Sequence, residues 1–420
     1  MVAFQPFDDK LLSGRSRIDD EALLPAEEDA CACEPMGPVE SYSPLFERLR
    51  ARMVNEDVRA VEERSGALEL YRALLAQPPQ QREDFLDAEP RSGNYALAEM
   101  LLAASHDLAG HDAATSVDLA RLALAVVDRL DPNRYGSGLV ADLKARAWAY
   151  VGDAWRTGAN PTAAQEAFRL AESHLRRGSG DPLEEAEVLS LAAGLLGDEG
   201  ETSRALEYLD RATTLFLEAR DTRSLAFALI RKGRLFAKTN RAAEAIEFLR
   251  AGLQLLDPGD SPRFLAEVRG ELARGLLSLD RAEEAWEEIG RARMTGEALL
   301  DPRVASRLTW IEGRVARAMG LESEAEQRLR HARDQALLLG QGGDAALAHL
   351  DLAELFSRRP HAERKAGFGE LVRETPRVLS SPGLERCAAT VVLLVQQAAD
   401  KNVLEPGLVA ELSRLLERVG

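Results

Sequence analysis

The sequence predicts an all-α fold, a solenoid of stacked helical hairpins, and three observations predict it. Ala, Leu, Glu and Arg dominate the 420 residues and aromatics make up only 5%, a balance that favours helix. No stretch alternates with period two in the Val/Ile/Thr-rich manner of strands. A pair of marks recurs at intervals of 40 or 41 residues, the signature of a repeat array.

The first mark reads small, large, small: Ala164/Phe168/Ala171, Ala205/Leu209/Ala212, Ala245/Leu249/Gly252, Ala285/Ile289/Ala292 and Ala325/Leu329/Ala332. Twelve residues before each first member stands another small residue: Gly152, Ala193, Gly233, Ala273 and Gly313. Each unit therefore holds two helical segments. The small residues fall where the two helices cross, and the large ones at i+4 fill the space beside the crossing. A single hairpin cannot bury its own apolar face but a stack can, so the array is the folding unit.

The elements follow in order. Residues 1–42 carry ten acids against three bases and show no sustained periodicity, which predicts a disordered acidic tail. Residues 43–93 read as N-terminal helices or a cap, with amphipathic stretches before and after Pro78-Pro79. Residues 94–382 read as the repeat array. It opens on a degenerate unit around Met100, Ala104, Ser116 and Ala123 and ends on another around Ala353 and Phe356. Residues 383–420 read as a repeat remnant with capping helices at 384–399 and 404–418. Asp or Ser followed by Pro occurs at residues 131, 181, 257, 261, 301 and 381, where the first residue can cap a helix and the proline can open it.

A net charge of −17 argues against a nucleic-acid binder and against adsorption to anionic membranes. The N-terminus lacks a signal-peptide pattern, and the most apolar segment, Cys387–Ala399, is too short to span a bilayer. A cytoplasmic location is expected.

The stretch from Trp148 to Phe168 resembles the tetratricopeptide repeat. Trp148, Val151, Gly152 and Trp155 match the first-helix pattern W-x2-L-G-x2-Y, with Val for Leu and Trp for Tyr, and Ala164 and Phe168 match A-x3-F. The resemblance extends over residues 94–400, with a period of 40 instead of the usual 34. It implies a right-handed superhelical solenoid, core positions for Trp148 and Trp155, and a non-catalytic scaffold whose first helices line a groove for a partner peptide or domain. The alternative it implies is a sensor that binds a peptide or small effector and controls a transcription factor or signalling partner.

If that groove is present, the residue after each crossing position faces it: Asp153, Gly194, Arg234, Arg274, Arg314 and Glu354. Arg234, Arg274 and Arg314 would form a ladder. Trp310, with Arg307 and Arg317 on its flanks, would add an exposed aromatic hot spot. Arginine forks bind carboxylates, so the expected partner is an acidic protein or peptide, and the acidic tail is an internal candidate. The competing expectation is that these arginines pair with glutamates on the adjacent helix. Self-association through an end or a helix face is also open.

Enzyme signals are weak. His106 and His111 are five apart, wrong for two ligands on one helix face, and HExxH is absent. Cys31 and Cys33 lack a second pair to complete a zinc site. The Glu283/Glu284 and Glu287/Glu288 pairs read as a solvated helix surface, and Gly340–Ala345 reads as a loop. No catalytic residue, metal or cofactor is expected.

Overall fold

A computed structural model of the chain describes residues 63–108, 112–257, 261–294, 301–382, 384, 386–400 and 411–412, all within one unit of the chain, Glu62–Gly420. The predicted acidic tail with Cys31 and Cys33, His111, and most of the predicted helix at 404–418 lie outside them.

The described residues form helices and no strand. Helix α1 covers 63–75, and a 3-10 turn at Pro79–Gln81 leads into α2 (Arg82–Ala88). The first hairpin is α3 (Tyr95–Leu108) with α4 (Ala113–Asp128), followed by the short α5 (Pro132–Tyr135). The next is α6 (Ser137–Thr157) with α7 (Pro161–Leu175), then α8 (Pro182–Asp198) with α9 (Thr202–Glu218). Then come α10 (Thr222–Lys238) with α11 (Ala242–Leu255) and α12 (Pro262–Ser278) with α13 (Ala282–Arg293). The array ends on α14 (Pro302–Ala318) with α15 (Glu322–Leu338) and α16 (Gly342–Ser357) with α17 (His361–Leu379), before α18 (Arg386–Asp400).

The crossing marks behave as their spacing predicts. A Cβ on Gly152 would lie 2.9 Å from the Phe168 ring, one on Gly233 2.8 Å from Leu249, and one on Gly313 2.7 Å from Leu329. Each contact joins the two helices of one hairpin sixteen residues apart in sequence, at a place where only a bare backbone fits. The partners Phe168, Leu209, Leu249, Ile289 and Leu329 are all buried. Truncating one such leucine or isoleucine to alanine costs about 2–5 kcal/mol.

The turns repeat with the same period. Ala159, Gly200, Asn240, Asp280 and Gly320 all take positive φ between 56° and 81° at the turn within each hairpin. The residue after each donates its N–H to a carbonyl five residues back, as Leu321 does to Ala316 at 2.9 Å. This is the bond that closes a helix C-terminus through a left-handed residue. At the other ends, Asp131, Asp181, Ser261 and Asp301 cap helices that open on proline. Ser381-Pro382 differs. Ser381 Oγ donates back to the Val378 carbonyl at 2.7 Å, which ties it to the end of α17, and α18 starts only at Arg386.

Two layers result. The first helices α3, α6, α8, α10, α12, α14 and α16 pack side by side, each also on its hairpin mate. Buried Ala388, Val392, Val395 and Ala399 line one stripe of α18 and join the core at the C-terminal end. Trp148 and Trp155 pack against Ala145, Ala149 and Phe168, the core role that the repeat resemblance implies. The Gly340–Ala345 stretch, expected to be a loop, is one only at Gly340 and Gln341, with Gly340 at φ 68°; from Gly342 it is already the first turn of α16.

Candidate functional site: the wall of first helices

The wall curves toward its own face. His106 on α3 sits edge-on to Tyr150 on α6, with centroids 5.7 Å apart, and edge-on to Phe227 on α10 at 5.6 Å. Helices α3 and α10 are three steps apart, and straight packing at about 8–10 Å per step would hold them near 25–30 Å. Ring contact across that interval requires the first-helix face to be concave. Phe227 continues to Phe264 on α12 at 5.0 Å, so a row of rings runs along this face.

Polar groups on the wall follow a second register, in which a residue meets the one about 37 positions later on the next first helix. Tyr150 donates to Glu187 at 2.9 Å, and the Arg234 Nε is 2.9 Å and 3.2 Å from the two Glu271 oxygens. Arg307 reaches Asp344 at 3.3 Å, and Arg317 donates to Glu354 at 2.7 Å. Asp153 is held by Arg156 at 2.9 Å, and Arg156 also reaches Asp198 at 2.9 Å. Burial pushes the Asp153 carboxyl up, and Arg156, Arg231 and His106 together outweigh it, leaving it below the usual carboxylate range. Burial likewise pushes Glu271 up, and Arg234, then Arg274 and Arg307, hold it below that range.

The sequence-expected site residues divide under this register. Trp310 was expected to be exposed and is instead 5% exposed, with its Nε1 donating to Asp351 Oδ2 at 2.7 Å. The neighbouring helix covers the ring, which is why a face shared with Arg314 does not make it a surface residue. Arg314 stacks over that ring at 5.1 Å and lies 3.9 Å from Asp351, while Arg317 bonds both Asp351 and Glu354. Arg234 is committed to Glu271 and lies over Phe264 at 5.6 Å. Arg307 is the most exposed of the set, at 62%, and pairs with Asp344.

Arg274 is the exception. It is half-buried, and among the described residues it has neither an ion pair nor a hydrogen bond. The residue 37 positions on is Ile311, buried in the core at 4% exposure. The carboxylate nearest in sequence, Glu271, already holds Arg234 in a forked contact. The arrangement can therefore offer a forked donor to a carboxylate from outside the chain. The features missed from the sequence are the row His106–Tyr150–Phe227–Phe264 and the acids Glu271 and Asp351. The 37-residue offset is the sequence signal for Glu271 and Asp351, as partners of Arg234 and Arg314, and for the Phe227–Phe264 pair alone among the rings. Among the described residues no group of three or more His, Cys, Asp or Glu could hold a metal ion, and no helix is long and apolar enough to cross a membrane.

No protein-family model matches the chain, and no curated protein matches it. Solved structures do. A signal-transduction ATPase with numerous domains, carrying a tetratricopeptide repeat sensor, from Pyrococcus horikoshii is 15% identical with a TM-score of 0.56. The match covers 87% of this chain and 54% of that one, so the chain spans about half the length of that protein. A Rap protein complexed with competence and sporulation factor is 13% identical, with a TM-score of 0.49, over 86% of this chain and 97% of that one. The apo form of RapI is 13% identical, with a TM-score of 0.46, over 73% of this chain and 98% of that one. At these identities the likeness speaks to fold. Joined to the 40-residue register, the crossing glycines and the periodic turns, it makes the chain a tetratricopeptide-like helical repeat solenoid.

Proposed function

We propose that the chain is a non-catalytic interaction scaffold whose concave first-helix wall takes a carboxylate-bearing segment of a partner protein at Arg274. The observation that carries this reading is a guanidinium with no ion pair or hydrogen bond among the described residues, on a wall where Arg234, Arg307 and Arg317 are matched by acids. The rings of Phe227 and Phe264 beside Arg234 supply an apolar bed on the same face. Arg274, with exposed Arg307 one helix away, is the centre of this site. Arg234, Arg314, Arg317 and Trp310 support it by holding the helices in register.

Affinity capture with the full chain, read by mass spectrometry, tests the reading. Arg274→Glu should abolish retention of the partner, and Arg274→Lys should retain part of it because the charge survives and the fork does not. Undiminished capture by Arg274→Glu would overturn the proposal. Arg314→Glu is unsuitable as a probe, because it would place a third acid against Asp351 and Glu354. The same wall suits a sensor that takes an effector and passes the signal to another protein; the Pyrococcus horikoshii protein's name calls its own repeats a sensor. A partner captured only in the presence of an added peptide or small molecule would favour that second reading.

A further inference from the structure

A different surface carries an independent inference. At two turns inside the hairpins, both positions flanking the left-handed residue are polar: Glu199 and Glu201, Thr239 and Arg241. Two successive turns depart from this. Leu279 ends α12 at 40% exposure, and Met319 ends α14 at 44%, one repeat later at the same position. Leu321, at the start of α15, is 48% exposed where the preceding repeats have arginine.

Trp286 on α13 adds a large ring, 43% exposed. Its counterpart one repeat earlier, Ile246, lies 3.2 Å from where a Cβ on Gly275 of the next first helix would stand. By the repeat register Trp286 corresponds to Ile246 and Val315 to Gly275, but Trp286 is exposed where Ile246 is 4% exposed. Gly290, one turn past Trp286 on the same helix, has open space where a Cβ would be. Leu279, Met319 and Leu321 thus stand at two successive turns of the array, with Trp286 on the helix that follows the first of them. Asp280 and Glu283 stand among them, exposed, and among the described residues neither forms an ion pair. Arg281, the cation between them, is engaged by Glu284 at 2.6 and 2.7 Å.

We propose that this edge, formed by Leu279, Trp286, Met319 and Leu321 with Asp280 and Glu283 beside them, docks an amphipathic basic helix of a partner protein. Contiguous exposed apolar groups with a charged border mark interaction sites. The uncommitted charges here are negative, and so is the chain as a whole, at −17. A second copy would bring like charge against like charge, whereas a helix with leucines on one face and lysines on its borders meets both halves of the surface.

The test is fluorescence anisotropy of the full chain with a fluorescein-labelled 18-residue Leu/Lys amphipathic peptide at physiological salt. A Lys/Gln peptide and a Leu/Glu peptide serve as controls. Wild type should bind the Leu/Lys peptide and neither control at comparable affinity. Met319→Gln with Leu321→Gln should weaken binding about tenfold, and Asp280→Asn with Glu283→Gln about threefold, as expected for the loss of an anchor and of rim charges. Leu217→Gln, at an exposed leucine on α9, and Arg274→Glu, on the concave wall, should change nothing. Failure of Arg274→Glu to lose capture would leave this edge unaffected, so the two proposals stand or fall separately. Absence of peptide binding, equal binding by the Met319/Leu321 variant, or an equal loss in Leu217→Gln would overturn the inference. So would a wild-type dimer in light scattering that the Met319/Leu321 variant dissociates, because the occupant would then be a second copy. Circular dichroism of each variant confirms that the helices are intact.

Discussion

The step from α12 to α14 and the step from α14 to α16 are built on one register and differ in the residue that faces the same arginine. In both, an arginine follows the crossing residue of the leading helix, Arg274 in one and Arg314 in the other. Thirty-seven positions on stands Ile311 in the first case and Asp351 in the second. Asp351 is 1% exposed and gathers the Trp310 N–H, Arg317 and Arg314. Ile311 joins the core and leaves Arg274 with no acid at that position, Glu271 acting on it only through charge while forked on Arg234. The same residue type at the same repeat position is therefore a fastening in one step and an available donor in the other. Its role is decided in the next repeat and not in its own.

The sharpest way to break the comparison is to remove the anion from the committed step. Asp351→Ala removes the acid that Arg314 and the indole N–H meet and leaves Arg317 to Glu354, and should cost about 3–5 kcal/mol, the range for breaking a buried ion pair from one side. Solenoid repeats unfold as neighbouring units, so the loss should be concentrated in α14 to α17. Hydrogen exchange across those helices, beside the urea midpoint, measures it. Unchanged protection there would show that the fastening is dispensable.

The two steps also differ in acid sensitivity. His349 on α16 is 3% exposed, with its Nε2 3.2 Å from the Thr375 hydroxyl, while α12 and α14 contain no histidine. Burial, then the charge of Arg333, pushes the imidazole down to about 3. The folded chain thus binds this proton less readily than the unfolded chain, whose histidine titrates near about 6.5. Stability contributed by the neutral ring is fully present above that value and falls as pH drops toward about 3, by about 1.4 kcal/mol per pH unit. By pH 5 the loss should reach about 2 kcal/mol, before most carboxylates protonate. Urea unfolding of wild type and His349→Gln from pH 7 to pH 5 checks the sign. The variant's curve should be flatter, and an equal slope would rule out His349 as its source.

Much of this architecture was legible because its determinants are local or strictly periodic. The crossing residues Gly152, Gly233 and Gly313 declare themselves by spacing, and each proves to touch the large residue sixteen positions later. Asp181 and Asp301 declare helix starts because a cap acts within three residues of itself. The arginines were legible as residues on one face, and pairing with glutamates on the adjacent helix was one expectation, met by Arg234 with Glu271 and Arg317 with Glu354, but which acid each would meet was not legible. A partner on the next first helix lies at an offset near 37, about one helical turn short of the 40-residue period, and only the axial stagger of neighbouring helices sets that offset. Trp310 was misjudged for the same reason: the group its indole N–H meets, Asp351, lies 41 positions away on another helix. The row from His106 to Phe264 depends on the curvature of the whole wall, which no single repeat encodes.

The smallest expected effect sharpens the comparison most. Arg274→Met removes a charge that forms no ion pair or hydrogen bond among the described residues and acts on Glu271 only through space, so stability should change by less than about 0.5 kcal/mol. Arg234→Met, one repeat earlier, removes the partner of Glu271 and should cost about 1 kcal/mol, a modest figure because both side chains keep some contact with solvent. Urea midpoints of the two variants at pH 7 give the ranking directly. A cost for Arg274→Met equal to that of Arg234→Met would make Arg274 another fastening of the solenoid. A near-zero cost joined to loss of partner capture would separate binding from folding at a single side chain, which is what an uncommitted guanidinium on an otherwise matched wall requires.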